Sequence, residues 1–163
     1  MPMNATAKRK RAAPPEAAVN VQFAVATTGL PAAASFRRWA RAALDCNARI
    51  TLRVVGAREA RALNKRYRRR DYATNVLTFV YADERPLAGD IAICAPVVKR
   101  EARAQRIDLA AHYAHLTVHG VLHLQGHDHL RKNDAEKMER LEARILKEFG
   151  YPDPYRGDAC GKL

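Results

Sequence analysis

The chain is poor in cysteine: Cys46, Cys94 and Cys160 are the only three in 163 residues, and no CxxC pair occurs. An odd number without close pairing argues against a disulfide framework or a thiolate metal site, so the thiols are expected to be reduced. Aromatic residues make up 7% of the chain against 48% hydrophobic positions overall, which suits one compact domain with an Ala/Leu/Val core. No apolar run approaches the roughly 20 residues that a membrane span requires, and residues 1–18 lack the apolar centre of a secretory signal. A soluble intracellular protein with no membrane partner is the expectation. Acidic residues are also scarce, with 17 Asp+Glu against 29 Lys+Arg and a net charge of +12, which opposes self-association and favours polyanionic partners.

Residues 1–18, with Lys8-Arg9-Lys10-Arg11 and Pro14-Pro15, read as a basic disordered tail with nothing to bury. Without the four bases and one acid of that stretch the body still carries +9. A domain over 19–156 and a short tail over 157–163 complete the expected organisation. Val21, Phe23 and Val25 predict a strand over Asn20–Thr27, and Pro31 opens a helix to about Leu44. Ile50, Leu52 and Val54 alternate as in a half-buried strand, and Ala60, Leu63 and Tyr67 predict a helix over Ala57–Tyr67, followed by an Arg-rich loop. Val76–Tyr81 and Asp90–Cys94 read as a hairpin whose loop holds Pro86 and Gly89, and Pro96 opens a short basic helix. Leu109–Gln125 is a largely apolar helix that Gly126 is placed to end in a left-handed turn. Asn133 with Glu136 resembles a capping box for a last helix, whose apolar stripe is Met138, Leu141, Ile145 and Phe149 and which Gly150 closes. Strands and helices in irregular order imply an α+β fold.

All six histidines fall between His112 and His129. His119 and His123 are four apart and share one helical face, so their imidazoles can converge on one ion, and the turn at Gly126 can return the chain so that His129 supplies a third nitrogen. Three imidazoles without a fourth protein ligand are the pattern of a catalytic zinc ion with water in the open position, and such a water is acidic enough to react near neutral pH. His119-x-x-x-His123-x-x-Gly126-x-x-His129 also matches the ligand skeleton of the metzincin proteases. Their general-base glutamate follows the first histidine, where this chain has Gly120, which cannot take a proton from water. His112 is expected to be a hydrogen-bonded core residue, and His127 to pack rather than ligate.

The string His119-Gly120-Val121-Leu122-His123-Leu124-Gln125-Gly126-His127-Asp128-His129 resembles the HGxLHLxGxDH signature of the YbeY family of bacterial endoribonucleases and rRNA-maturation factors. Leu63-Asn64-x-x-Tyr67-Arg68-x-x-Asp71-x-x-Thr74-Asn75-Val76-Leu77-x-Phe79 resembles the family's other signature, with further agreement at Gly89-Asp90-Ile91, Met138-Glu139 and Tyr151-Pro152-Asp153-Pro154-Tyr155. The likeness spans Val19 to Tyr155. It implies a mixed four-stranded sheet packed with helices, one zinc ion held by His119, His123 and His129, and a functional arginine at Arg68. It further implies a cytoplasmic zinc-dependent endoribonuclease of rRNA maturation and ribosome quality control, with ribosomal small-subunit partners. His127 departs from the family's usual Tyr, Thr78 from Ser and Val80 from Pro.

Charge supports a nucleic-acid substrate independently. Between Arg58 and Asp71 seven bases face two acids, and Lys99, Arg100, Arg103 and Arg106 form a second patch. Arg66, Arg69 and Arg70 are candidate phosphate contacts to single-stranded RNA, with no DNA partner expected, and Tyr67 and Tyr72 could stack bases, although Tyr67 lies on the apolar stripe and reads as core. Catalysis is assigned to Arg68, whose planar fork suits charge growing on a phosphoryl group, and to Asp128, which would orient a ligand histidine. The rival readings are a non-catalytic zinc-containing RNA-binding assembly factor and a metzincin-like peptidase with a base from elsewhere in the chain.

Overall fold

The computed structural model describes residues 13–82, 86–127 and 131–156. The chain runs β1 (Ala17–Phe23), α1 (Ala33–Ala43), β2 (Ala48–Val55), α2 (Ala57–Arg68), β3 (Val76–Ala82), β4 (Leu87–Cys94), α3 (Ala95–Gln105), α4 (Leu109–Leu124) and α5 (Lys132–Glu148). The four strands form one mixed sheet in the order β1-β2-β4-β3, with β1, β2 and β4 parallel and β3 antiparallel to β4. This is the α+β fold with a mixed four-stranded sheet that the resemblance implied.

The period of two divides the sheet into faces. Ile50, Leu52 and Val54 of β2 and Ile91 and Ile93 of β4 are buried in the main core with Phe36, Trp39, Tyr113, Val118, Val121 and Met138 from α1, α4 and α5. The opposite face carries a smaller cluster of Val55, Ala60, Cys94 and Val97 beneath α2 and α3. Beyond α2 no helix among the described residues covers this outer face. Two neighbouring grooves of about 480 and 210 Å³ lie along it, sharing Thr51, Tyr81 and Asp90 in their linings.

Several boundaries differ from the sequence expectation for identifiable reasons. β1 starts at Ala17, within the stretch read as tail, because Ala17 and Ala18 pair with Ala48 and Arg49 of β2. Two alanines carry no periodic signal; the neighbouring strand recruits them. Gly89 is a strand residue rather than a loop residue. A Cβ there would lie 2.8 Å from the Phe79 carbonyl oxygen and 2.9 Å from Leu124 Cδ2, so the missing side chain lets α4 lie directly on β4. α5 begins at Lys132 with Arg131 as N-cap and no side-chain cap bond, so the expected Asn133/Glu136 capping box does not form. Arg68 closes α2 instead of sitting in the following loop, and Arg69 takes the left-handed conformation at φ 57°. Tyr67 is 52% exposed, its ring edge on Phe79 at 5.1 Å, and is not a core residue. The reason is that α2 crosses the open face of the sheet, where no other element among the described residues covers its last turn.

Candidate active site

α4 carries the histidines as a polar stripe on an otherwise buried helix. Its buried residues include Tyr113, Ala114, Leu116, Val118, Val121 and Leu122, which hold it against the sheet and α1. His112, His115, His119 and His123 follow one another at spacings of three and four, and successive ring centroids are 6.3, 6.2 and 4.9 Å apart. The shortest separation is that of His119 and His123, the two helix ligands expected from the sequence. Gly120 faces the sheet, where an added Cβ would meet Ile91 Cγ2 at 3.2 Å and Thr78 Cγ2 at 3.4 Å. A glutamate at this position would be driven into the core, away from the histidines.

His112 is 4% exposed, and its Nε2 lies 3.1 Å from Glu101 Oε1. Burial holds its pKa below the ordinary histidine value against the opposing pull of Glu101. It is the hydrogen-bonded core histidine the sequence suggested. Glu101 in turn accepts from Asn75 Nδ2 at 3.1 and 3.3 Å, so Asn75 of the second signature braces α3 and α4.

The side chain that organises the other histidines is Glu142 of α5, which is 0% exposed. His119 Nδ1 lies 2.5 Å from its Oε1 and His115 Nε2 3.0 Å from its Oε2, while the Tyr155 hydroxyl donates to the same Oε2. Burial raises the pKa of this carboxyl, but the bonds from His115, His119 and Tyr155 outweigh it and hold the group at about 2. Tyr155 is pushed up, by burial first and then by its bond to Glu142. An ionised carboxylate only accepts hydrogen bonds, so the facing nitrogens, Nδ1 of His119 and Nε2 of His115, carry the protons. The ligand atoms of His115, His119 and Glu142 all lie within 4.8 Å of one another, and this group could hold a metal ion.

Glu142 was not among the residues singled out from the sequence, and Tyr155 entered there only within the family segment Tyr151-Pro152-Asp153-Pro154-Tyr155, with no role. A signal for Glu142 was available: it falls at i+4 from Met138 on the stripe that otherwise carries Leu141, Ile145 and Phe149. An acid on an apolar stripe needs a buried partner.

α4 ends in a Schellman turn. Gly126 has φ 91°, its N–H donates to the His123 carbonyl at 3.0 Å, and the His127 N–H donates to the Leu122 carbonyl at 3.1 Å. Gln125 anchors the turn, donating from Nε2 to the Ala43 carbonyl at 2.7 Å and accepting the Asp45 N–H at 2.8 Å. Asp128 and His129, the expected orienting acid and third ligand, lie outside the described residues.

Arg68 reaches around the edge strand. Its Nη2 donates to the Thr78 carbonyl at 2.8 Å, and its guanidinium carbon stands 5.8 Å from the Phe79 ring centroid. Thr78 is the residue whose methyl faces Gly120, next to His119, so the anchor holds Arg68 at the strand bordering the histidine helix. The buried Asn64 donates to the Tyr72 carbonyl at 2.8 Å, and Arg61 makes a two-pronged ion pair with Asp71 at 2.7 and 3.1 Å. Those contacts shape the loop after α2. Arg66, Arg69 and Arg70 are exposed around it, with Arg66 over the Tyr67 ring at 5.3 Å and Arg70 bonded to the Tyr72 hydroxyl at 3.2 Å.

A histidine helix lying on a mixed sheet, with an arginine fixed at the sheet's edge, defines a class of α+β domain equipped for a metal ion and an anionic substrate. The sequence profile described as Endoribonuclease YbeY matches residues 25–150. Endoribonuclease YbeY of Nitrosomonas eutropha is 56% identical over 137 residues, covering 84% of this chain and 97% of that protein. That of Thiobacillus denitrificans is 57% identical over 143 residues, covering 86% and 97%. A Thermotoga maritima protein solved in solution has the same fold, with a TM-score of 0.52 at 21% identity over 85% of this chain and 99% of that one. The chain belongs to the YbeY endoribonuclease family.

Proposed function

We propose that this protein hydrolyses phosphodiester bonds of single-stranded RNA, using one zinc ion held by His119, His123 and His129, and that it acts in the cytoplasm on rRNA at the ribosomal small subunit. The observation that carries this reading is the 4.9 Å approach of the His119 and His123 rings on the α4 face, together with Arg68 fixed to Thr78 beside Gly120. With Nδ1 of His119 turned onto Glu142, Nε2 is the nitrogen that faces away from the carboxylate and suits a metal. The donor set fits zinc. Direct ligation by Glu142 together with His115 and His119 is disfavoured by distance, because two ligand atoms on a tetrahedral zinc stand roughly 3.3 Å apart. Here the nitrogen–oxygen separations are 2.5 and 3.0 Å, a short and an ordinary hydrogen bond.

When bound, zinc would acidify a water or polarise a phosphoryl oxygen. Arg68, with one donor committed to the Thr78 carbonyl, keeps its charge and further N–H groups for the phosphoryl oxygens as negative charge grows on them. Asp128 would orient a ligand imidazole. Arg66, Arg69 and Arg70, interleaved with Tyr67 and Tyr72, would take the phosphates and bases of the strand leading in. The test is metal analysis of purified protein combined with cleavage of a single-stranded RNA before and after chelation. Stoichiometric zinc and chelator-sensitive cleavage are expected. Stoichiometric zinc without cleavage would return the protein to the class of RNA-binding assembly factors.

A further inference from the structure

Glu142 contributes a fully buried charge from α5 to a site built on α4. An ionised carboxylate in the interior loses its hydration, a heavy cost unless its lone pairs are filled. Here three donors fill them, from His115, His119 and Tyr155. Tyr155 arrives from beyond α5 in a turn whose backbone N–H donates to Asp153 Oδ1 at 2.9 Å, and its hydroxyl also lies 3.1 Å from His115 Nε2. Two segments that contribute nothing to the histidine motif therefore meet at Glu142, whose other oxygen faces His119.

We infer that Glu142 is a positioning residue for the metal centre, fixing the tautomer and the rotation of His119 through its Nδ1–H, and that Tyr155 locks the carboxylate in that pose. The assignment rests on the ligand set proposed above. A carboxylate behind a ligating imidazole raises its basicity and removes its rotational freedom, and losing such a partner typically weakens metal binding by about 10–100-fold. His115 shares the carboxylate from the other side and fills its second oxygen, so Glu142 cannot swing away from His119 without breaking the bonds that His115 and Tyr155 make to that oxygen. The C-terminal Tyr151–Tyr155 segment becomes part of the centre through this contact.

The experiment measures zinc affinity by competition with a chromophoric chelator for the parent, Glu142→Gln, Tyr155→Phe and His123→Ala, with circular dichroism and a melting curve of each metal-free protein. Glu142→Gln is expected to bind zinc about 10–100-fold more weakly and Tyr155→Phe more weakly by a smaller factor, while both remain folded. Long-range proton–nitrogen spectra of the metal-free parent should show His119 protonated at Nδ1, a measurement that stands even if Glu142→Gln fails to fold. Parent-like zinc affinity in folded Glu142→Gln, or a His119 protonated at Nε2, overturns the inference. Loss of zinc as complete as in His123→Ala also overturns it, by making Glu142 a ligand. If His123→Ala keeps parent affinity, the ligand set falls instead, and the His119 tautomer still decides whether the pairing with Glu142 exists.

Discussion

Gly120→Ala tests whether the seat of the histidine helix is set by close packing or by helix propensity. In the interior of a helix alanine is better than glycine by about 1 kcal/mol, so propensity alone predicts a more stable protein. The added Cβ, however, would stand 3.2 Å from Ile91 Cγ2, 3.3 Å from Ile91 Cδ1 and 3.4 Å from Thr78 Cγ2. Ile91 is 0% exposed on β4, which is hydrogen-bonded on both sides, and it meets the new methyl with two different branches. One rotamer change cannot clear both contacts, because a β-branched side chain is stiff at χ1. Overpacking of this kind costs about 1–3 kcal/mol, so the net effect should be a loss of about 1 kcal/mol. For a chain of this size that lowers Tm by roughly 2–4 °C. α4 would have to lift from the sheet by a few tenths of an ångström, carrying His119 with it, and zinc affinity should fall with stability. Ile91→Val removes one of the clashing carbons; on its own it should cost about 0.5–1.5 kcal/mol, and in the Gly120→Ala background distinctly less. Urea unfolding of the four proteins measures both quantities. A Gly120→Ala protein at least as stable as the parent, or an Ile91→Val cost that is the same in both backgrounds, would refute the packing argument.

Further outcomes follow from the same geometry. His123→Ala should lose zinc and RNA cleavage together, whereas His112→Ala, which removes a residue bonded to Glu101, should keep its zinc; metal analysis of the two separates ligand from scaffold. Arg68→Ala should keep zinc and bind RNA only modestly worse yet cleave about 100-fold more slowly in single turnover at saturating RNA, with Arg68→Lys rescuing only partly. An Arg68→Ala rate equal to the parent's would assign Arg68 to binding or structure. Arg69→Gly should leave stability within about 1 kcal/mol, since glycine accepts the left-handed conformation at φ 57°, and should flatten the salt dependence of RNA affinity by roughly 0.7 in the logarithmic slope. Burial depresses the His112 pKa in the folded state, so the unfolded chain takes up its proton first as pH falls. Stability should therefore decline from about pH 6.5 downward, and His112→Gln should reduce that decline in urea unfolding between pH 7.5 and 5.5.

Local features were legible in the sequence wherever one short stretch of chain decides them. Periodicity showed α4 and its termination at Gly126, the i, i+4 spacing put His119 and His123 on one face, and the alternation of Ile50, Leu52 and Val54 marked β2. The α+β class followed from the order of elements, and the two signatures marked the family. Boundaries set by a neighbour were not legible: Ala17 and Ala18 join the sheet because β2 offers them a ladder, and Gly89 is a strand residue because Leu124 packs on it. By charge alone Arg68 is one cation among seven in its stretch; the family signature singled it out, and only the antiparallel placement of β3 at the sheet's edge gives it the Thr78 carbonyl and the border of the histidine helix. The largest gap concerns Glu142 and Tyr155. In sequence Glu142 is 23 residues from His119 and 27 from His115, and Tyr155 is 40 from His115; docking α5 on α4 makes them one hydrogen-bonded group. The sequence by itself determined which side chains the centre has available, because composition and helical spacing are local. Tertiary structure decided which nitrogens His115 and His119 turn to Glu142, because a tautomer is set by the partner a ring meets across the fold.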